Sequence, residues 1–146
     1  LLEDGAEYAE APWTLAERSF AAIGPGHLVA CRSTPGHTEL VLVDARTGFA
    51  SPLTAEDHAE WQEYRSLCAD HGTIAFIGAR QTGPPVIATL RLDTGVGTIV
   101  RVAAAPPLDA SFVSCAIPRR SRARDGAVIH ACLYLPRNPT CTPLPG

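Results

Sequence analysis

The side chains that carry most protein chemistry are spaced here for structure more than for catalysis. The five histidines, His27, His37, His58, His71 and His130, are scattered, with no His-x-x-x-His pair and no His–carboxylate pair at helical ligand spacing. They are therefore read as surface or turn residues rather than metal ligands. His130 is mid-strand beside Ile129 and, by alternation, faces the other way, toward a domain interface or solvent. Cys31, Cys68, Cys115, Cys132 and Cys141 are odd in number and widely spaced, with no C-x-x-C pair. They read as free thiols, those in apolar runs (Val29-Ala30-Cys31, Ala131-Cys132-Leu133) acting as small hydrophobes. A reducing, cytoplasmic compartment suits them best.

Asp44, Asp93 and Asp125 each stand at a turn beside Gly or Thr, where bonding to the local backbone accounts for them without acid–base work. Gly24-Pro25-Gly26 and Gly95-Val96-Gly97 invite a phosphate-loop reading, but no helix follows whose N-terminus would hold an anion. The run Arg119-Arg120-Ser121-Arg122-Ala123-Arg124 puts four arginines in six positions. No aromatic residue interleaves with it, so a solvated loop or inter-domain ion-pair patch is expected rather than a nucleic-acid site. Trp61 and Tyr64, three apart on an expected helix, would share one face and pack on a neighbouring sheet edge.

The elements that position these residues follow from 146 residues, 46% hydrophobic and 18% charged, with a mean hydropathy of +0.06. No apolar run approaches the roughly 20 residues of a membrane helix. A net charge of −3 offers no attraction to nucleic acid or anionic membrane. All 12 basic residues are arginine and methionine is absent; a fragment of a longer protein is expected. The N-terminus lacks the basic and apolar regions of a secretory signal, and export of a longer parent stays open.

From Ser19 the chain reads as short strands and tight turns: Ser19–Ile23, His27–Arg32, Glu39–Val43 and a strand near Phe49-Ala50. Thr54 to Tyr64 carries a helix signature, with Thr54 as cap, and a short helix or an ordered insertion loop is expected there. The four-strand pattern recurs in Arg65–Ala69, Thr73–Ala79, Val86–Leu92 and Thr98–Val102, and the copies align with Asp44 and Asp93 standing 49 residues apart. Such repeats signify propeller blades, because one blade cannot bury both faces until neighbours stack on it. Two blades do not close a ring, so a larger protein or a ring-completing oligomer is implied. After the Pro-bearing linker Ala103–Pro107 come a strand over Ser111–Ile117, a basic loop over Pro118–Asp125, and a strand over Ala127–Leu135.

The run Ile117-Pro118-Arg119-Arg120, then Arg124-Asp125-Gly126 through Leu133-Tyr134-Leu135-Pro136, then Asn138-Pro139, resembles the passage from propeller to α/β-hydrolase domain in prolyl-oligopeptidase-like serine peptidases, including acylaminoacyl peptidases and dipeptidyl aminopeptidases. A D-G turn leading to a strand that ends Tyr-x-Pro carries the resemblance. It implies an all-β chain: a preceding segment 1–17, two four-stranded antiparallel blades over 18–102, and over 103–146 a linker with the first strand or strands of a truncated hydrolase domain. It also implies a parent that cleaves short peptides, with a propeller that restricts access.

Such enzymes hold their nucleophile in a Gly-x-Ser-x-Gly elbow. None of Ser19, Ser33, Ser51, Ser66, Ser111, Ser114 and Ser121 stands in one. No catalytic, cofactor-binding or metal residue is therefore expected within the chain, and no cofactor; it should be inactive alone. Its expected partners are the missing hydrolase domain and blades, with a peptide substrate in the parent. Two alternatives stand beside this: a propeller-like or β-sandwich interaction module with no enzymatic parent, and a degenerate standalone product of a truncated peptidase gene.

Overall fold

The computed structural model describes residues 4–9, 13, 17–53, 61–105 and 108–141. Two four-stranded antiparallel meanders and a two-stranded ribbon make up the described elements, as the all-β reading requires. The first meander is β1 (Phe20–Gly24), β2 (His27–Thr34), β3 (His37–Asp44) and β4 (Phe49–Pro52). The second is β5 (Trp61–Asp70), β6 (Thr73–Arg80), β7 (Val86–Arg91) and β8 (Gly97–Val102). After a short 3-10 turn, Ala110–Phe112, the ribbon pairs β9 (Ala116–Arg122) with β10 (Val128–Tyr134).

Turn chemistry sets these boundaries. Pro25 and Pro35 are each followed by a glycine at positive φ, Gly26 at 75° and Gly36 at 84°, a conformation that suits residues without a Cβ. At the β5–β6 turn His71 takes φ 45° before Gly72 at 73°. Gly48 N–H donates to Asp44 O and Gly95 N–H donates to Arg91 O, both at 2.8 Å. These matching turns correct the repeat: Asp44 corresponds to Arg91 at an offset of 47, not to Asp93 at 49. Both turns end in Thr-Gly, while the aspartate sits two positions later in the second.

The meanders stack face to face. Val29, Cys31 and Leu40 of the first join Trp61, Tyr64, Leu67, Ile74, Phe76, Val86, Ala88 and Leu90 of the second in one buried cluster. Burying each of the larger side chains contributes roughly 1.5–3 kcal/mol. Ala30, Val41 and Val43, on the opposite face of the first meander, form a smaller cluster that Tyr8 helps to cover. The second meander's opposite face leaves Ile77 and Ile87 exposed.

Three expectations are corrected. Residues 54–60 of the expected helix lie outside the described residues, and Trp61 to Tyr64 belong to β5. The spacing of three that puts Trp61, Tyr64 and Leu67 on one face comes from two register shifts, at Trp61/Glu63 and Arg65/Cys68, the second with Ser66 at φ 52°. An inserted residue returns the side chain to the same sheet face, so Trp61, Tyr64 and Leu67 are all buried. The expected strand over Ser111–Ile117 is a 3-10 turn capped by Asp109, and strand begins only at Ala116. The expected basic loop is mostly β9, because Pro118 lies where β9 tolerates a missing N–H and the chain stays extended to Arg122.

Candidate functional site

The residues singled out by chemistry are dispersed over the fold. Asp44 Oδ1 accepts from the backbone N–H of Arg46 (2.8 Å) and Thr47 (3.2 Å), and these two bonds hold its carboxyl below the usual range. Asp93 is gripped by Arg91 through Nε (3.0 Å) and Nη2 (2.5 Å), which lowers its pKa likewise. Asp125 Oδ1 accepts from Ala127 N–H at 3.0 Å. Asp44 and Asp125 bond the backbone of their own turns, as expected, whereas Asp93 is held by the Arg91 side chain. His27 Nδ1 meets Pro25 O at 3.0 Å, His71 lies beside Asp70, and His130 is exposed on β10. His58 lies outside the described residues.

Among the described residues no cluster of three or more His, Cys, Asp or Glu is placed to hold a metal. Nor does any described serine hydroxyl bond to a histidine: Ser111 Oγ donates to Asp109 Oδ1 (2.6 Å) and Ser33 Oγ meets Thr38 Oγ1 (3.3 Å). All five cysteines are free, but only Cys31 is buried. Its thiol donates to Tyr64 O across the meander interface at 3.3 Å. Cys132 departs from its reading as a buried hydrophobe, since the ribbon is exposed on both faces. The arginines sit on that ribbon: Arg120 is paired with His130, Arg119 with Ala131 and Arg122 with Val128. Alternation thus sends Arg119 to one face and Arg120 and Arg122 to the other.

Two concave surfaces stand out. A cleft of about 400 Å³ is lined by Trp61, Phe76, Arg80, Ala88 and Ile99, with the Arg80 guanidinium 4.8 Å from the centre of the Trp61 ring. Such a cation–aromatic floor suits packing or recognition, and among the described residues its lining includes no His, Cys, Asp or Glu. A second, about 230 Å³, lies where the ribbon meets the β2–β3 turn, between Pro35, Gly36, Pro118, His130 and Cys132. The close approach of Pro118 to Gly36 seats the ribbon there: a Cβ on Gly36 would lie 3.0 Å from the proline ring. Sequence reasoning did not find either surface, because both depend on contacts between distant strands.

No protein-family profile matches the chain. No curated protein matches it. Solved structures do. A serine-to-alanine variant of puromycin hydrolase complexed with PGG aligns at 23% identity over 97% of this chain with a TM-score of 0.80. A puromycin-hydrolyzing peptidase of Mycobacterium tuberculosis aligns at 23% identity over 96% with 0.81, and unmodified puromycin hydrolase at 23% over 97% with 0.79. The chain spans about a fifth of each of those proteins, 21%. The aligned part runs through both meanders and the ribbon. At this identity the likeness is one of fold, and the fold is the propeller-like one that the repeat of four strands predicts.

Proposed function

We propose that this chain is a non-catalytic part of a prolyl-oligopeptidase-like serine peptidase: two propeller blades, residues 18–102, with the junction and opening strands of the hydrolase domain at 103–146. The parent cleaves short peptides and its propeller restricts which substrates reach the active site. The observation that carries this reading is the near-complete alignment, 97% of the chain, with puromycin hydrolase. The ribbon supports it, since the Asp125-Gly126 turn and the strand ending Tyr134-Leu135-Pro136 fall in one hairpin. Five free thiols support a reducing, cytoplasmic setting.

The test compares the 146-residue chain with the longer protein encoded by its extended reading frame, using puromycin and dipeptide anilides. The expected result is an inert short chain and a longer protein that hydrolyses both substrates and is silenced by Ser→Ala in a Gly-x-Ser-x-Gly elbow. A reading frame without that elbow would overturn the proposal.

A further inference from the structure

The ribbon carries two guanidinium groups and an imidazole on one face. Across the β9–β10 ladder Arg122 pairs with Val128, Arg120 with His130 and Pro118 with Cys132, so these side chains share that face. Ile117, Ile129, Ala131 and Leu133 lie on the other, an aliphatic face suited to packing. No carboxylate of the ribbon answers the cations, because its one acidic residue, Asp125, is turned to the Ala127 N–H at 3.0 Å. Among the described residues Arg119, Arg120, Arg122 and Arg124 make no ion pair, whereas Arg32, Arg65 and Arg91 each sit against a carboxylate. Arg122 gives one N–H to Gly126 O at 3.4 Å and keeps its charge uncompensated.

Like charges held side by side on a sheet repel, and an anion placed between them replaces that repulsion with charge-assisted hydrogen bonds. The cationic face also adjoins a hollow. The concavity of about 230 Å³ at the β2–β3 turn is bounded by Pro35, Gly36, Pro118, His130 and Cys132. His130 belongs to both features: it lines the concavity and stands directly across the ladder from Arg120. The two prolines give the hollow apolar walls, and the approach of Pro118 to Gly36 sets those walls together.

We propose that this corner binds a small phosphate monoester, its phosphate held between Arg120 and His130 and its organic body seated against Pro35 and Pro118. Charge complementarity selects the anion: a guanidinium presents a planar fork of N–H donors that matches two phosphate oxygens, and an imidazole adds a further N–H. The hollow limits the body. At about 230 Å³ it is smaller than the roughly 300–1,000 Å³ of sites for drug-sized ligands, which favours a body of one ring or less. The inference stands on the register, charge and shape of the ribbon, and does not depend on the peptidase reading.

Cys132 provides the readout, since it is exposed and lines the concavity. In the full chain carrying Cys68→Ser, Cys115→Ser and Cys141→Ser, the rate of its alkylation by uncharged N-ethylmaleimide is measured with phenyl phosphate, inorganic phosphate or benzyl alcohol. Phenyl phosphate at millimolar concentration is expected to slow alkylation saturably. Inorganic phosphate should need a higher concentration, and benzyl alcohol should give no protection. Arg120→Gln and His130→Gln should each raise the concentration of phenyl phosphate required about tenfold, the effect of losing a charge-assisted bond, with tryptophan emission unchanged as the check on folding. Arg120→Lys, which keeps the charge, should fall between, and Arg101→Gln, which removes an exposed arginine of β8, should have no effect. Protection by none of the three compounds, or by benzyl alcohol as well as by phenyl phosphate, overturns the proposal. So does an equal loss in Arg101→Gln, which would mark bulk charge, and so does inorganic phosphate matching phenyl phosphate, since free phosphate would then be the occupant.

Discussion

Trp61 lies flat across Gly78. A methyl group at Gly78 would sit 2.7 Å from Trp61 Cε3 and 2.9 Å from a Phe76 ring carbon, inside van der Waals contact. Trp61 and Phe76 meet edge to face, with centroids 5.8 Å apart, and Tyr64 tilts against Phe76 at 5.3 Å. The missing side chain on β6 is what lets this aromatic group close the end of the shared core. Gly78→Ala should therefore cost about 1–3 kcal/mol through overpacking. Thermal unfolding would show it, and in a Trp13→Phe background the remaining tryptophan emission should shift to the red. Unchanged emission and melting temperature would contradict the packing described.

The two faces of the second meander should answer truncation differently. Leu67 is fully buried between the meanders, so Leu67→Ala should destabilise the chain by about 3 kcal/mol. Ile77→Ala on the open face should cost less than about 1 kcal/mol. Urea titrations of both variants would measure the contrast, and equal losses would mean that the outward face is also covered.

His71 occupies a position better suited to other residues. With φ at 45° next to Gly72 at 73°, it forms the first half of a two-residue hairpin turn. Asn-Gly is the pair most at home there, because asparagine tolerates the left-handed region more readily. His71→Asn is expected to raise stability by about 0.5 kcal/mol, in the range of other turn optimisations. A lower melting temperature for the variant would show that the histidine serves another purpose.

Acid should weaken the fold through its turn carboxylates. Asp4, Asp44, Asp93 and Asp109 are each held below the usual 3.8 by hydrogen bonds: from Tyr8 and Ala6 to Asp4, from the Arg46 and Thr47 amides to Asp44, from Arg91 to Asp93 and from Ser111 to Asp109. A carboxylate whose folded pKa lies below its unfolded one contributes stability above the unfolded value, and that contribution disappears as pH falls through the folded one. Melting temperature should thus be level from neutral pH to about 5 and decline below about 4. The double variant Asp44→Asn/Asp93→Asn should show a shallower decline on the acid side.

The N-terminal segment is fastened by a local network. Glu7 and Ser33 exchange backbone hydrogen bonds at 2.9 and 2.8 Å. Arg32 Nη1 reaches Asp4 Oδ2 (3.4 Å) while its Nε and Nη2 donate to Glu39 Oε1 (3.0 and 2.6 Å), and Tyr8 donates to Asp4 (2.6 Å). Arg32→Ala should release residues 4–9, seen as faster amide exchange at Glu7 and Ser33 with little change at Leu67. Uniform acceleration would instead point to global destabilisation.

Much of this architecture was legible in the residues themselves. Pro-Gly and Thr-Gly turns, alternating apolar runs and the recurrence of four strands are local signals, and they located both meanders and the strand ending in Tyr134. The turn duties of Asp44, Asp93 and Asp125 were legible for the same reason: their partners lie two or three residues away.

What only the tertiary structure decided depends on contacts between residues far apart in the chain. Two bulges in β5 convert a spacing of three into one buried face, so Trp61 and Tyr64 read as helix until β6 supplies their register. The true offset of the repeat emerged from turn hydrogen bonds, because the aspartates had shifted within otherwise equivalent loops. The arginine-rich run became a strand only through pairing with β10, where the gain comes from a partner ladder that composition does not encode. The sequence by itself determined the strands and their turns. Which faces are covered, and that Ile77 and Ile87 stand open where Cys31 and Leu40 are buried, was decided by the stacking of sheets, since burial belongs to the neighbour as much as to the residue.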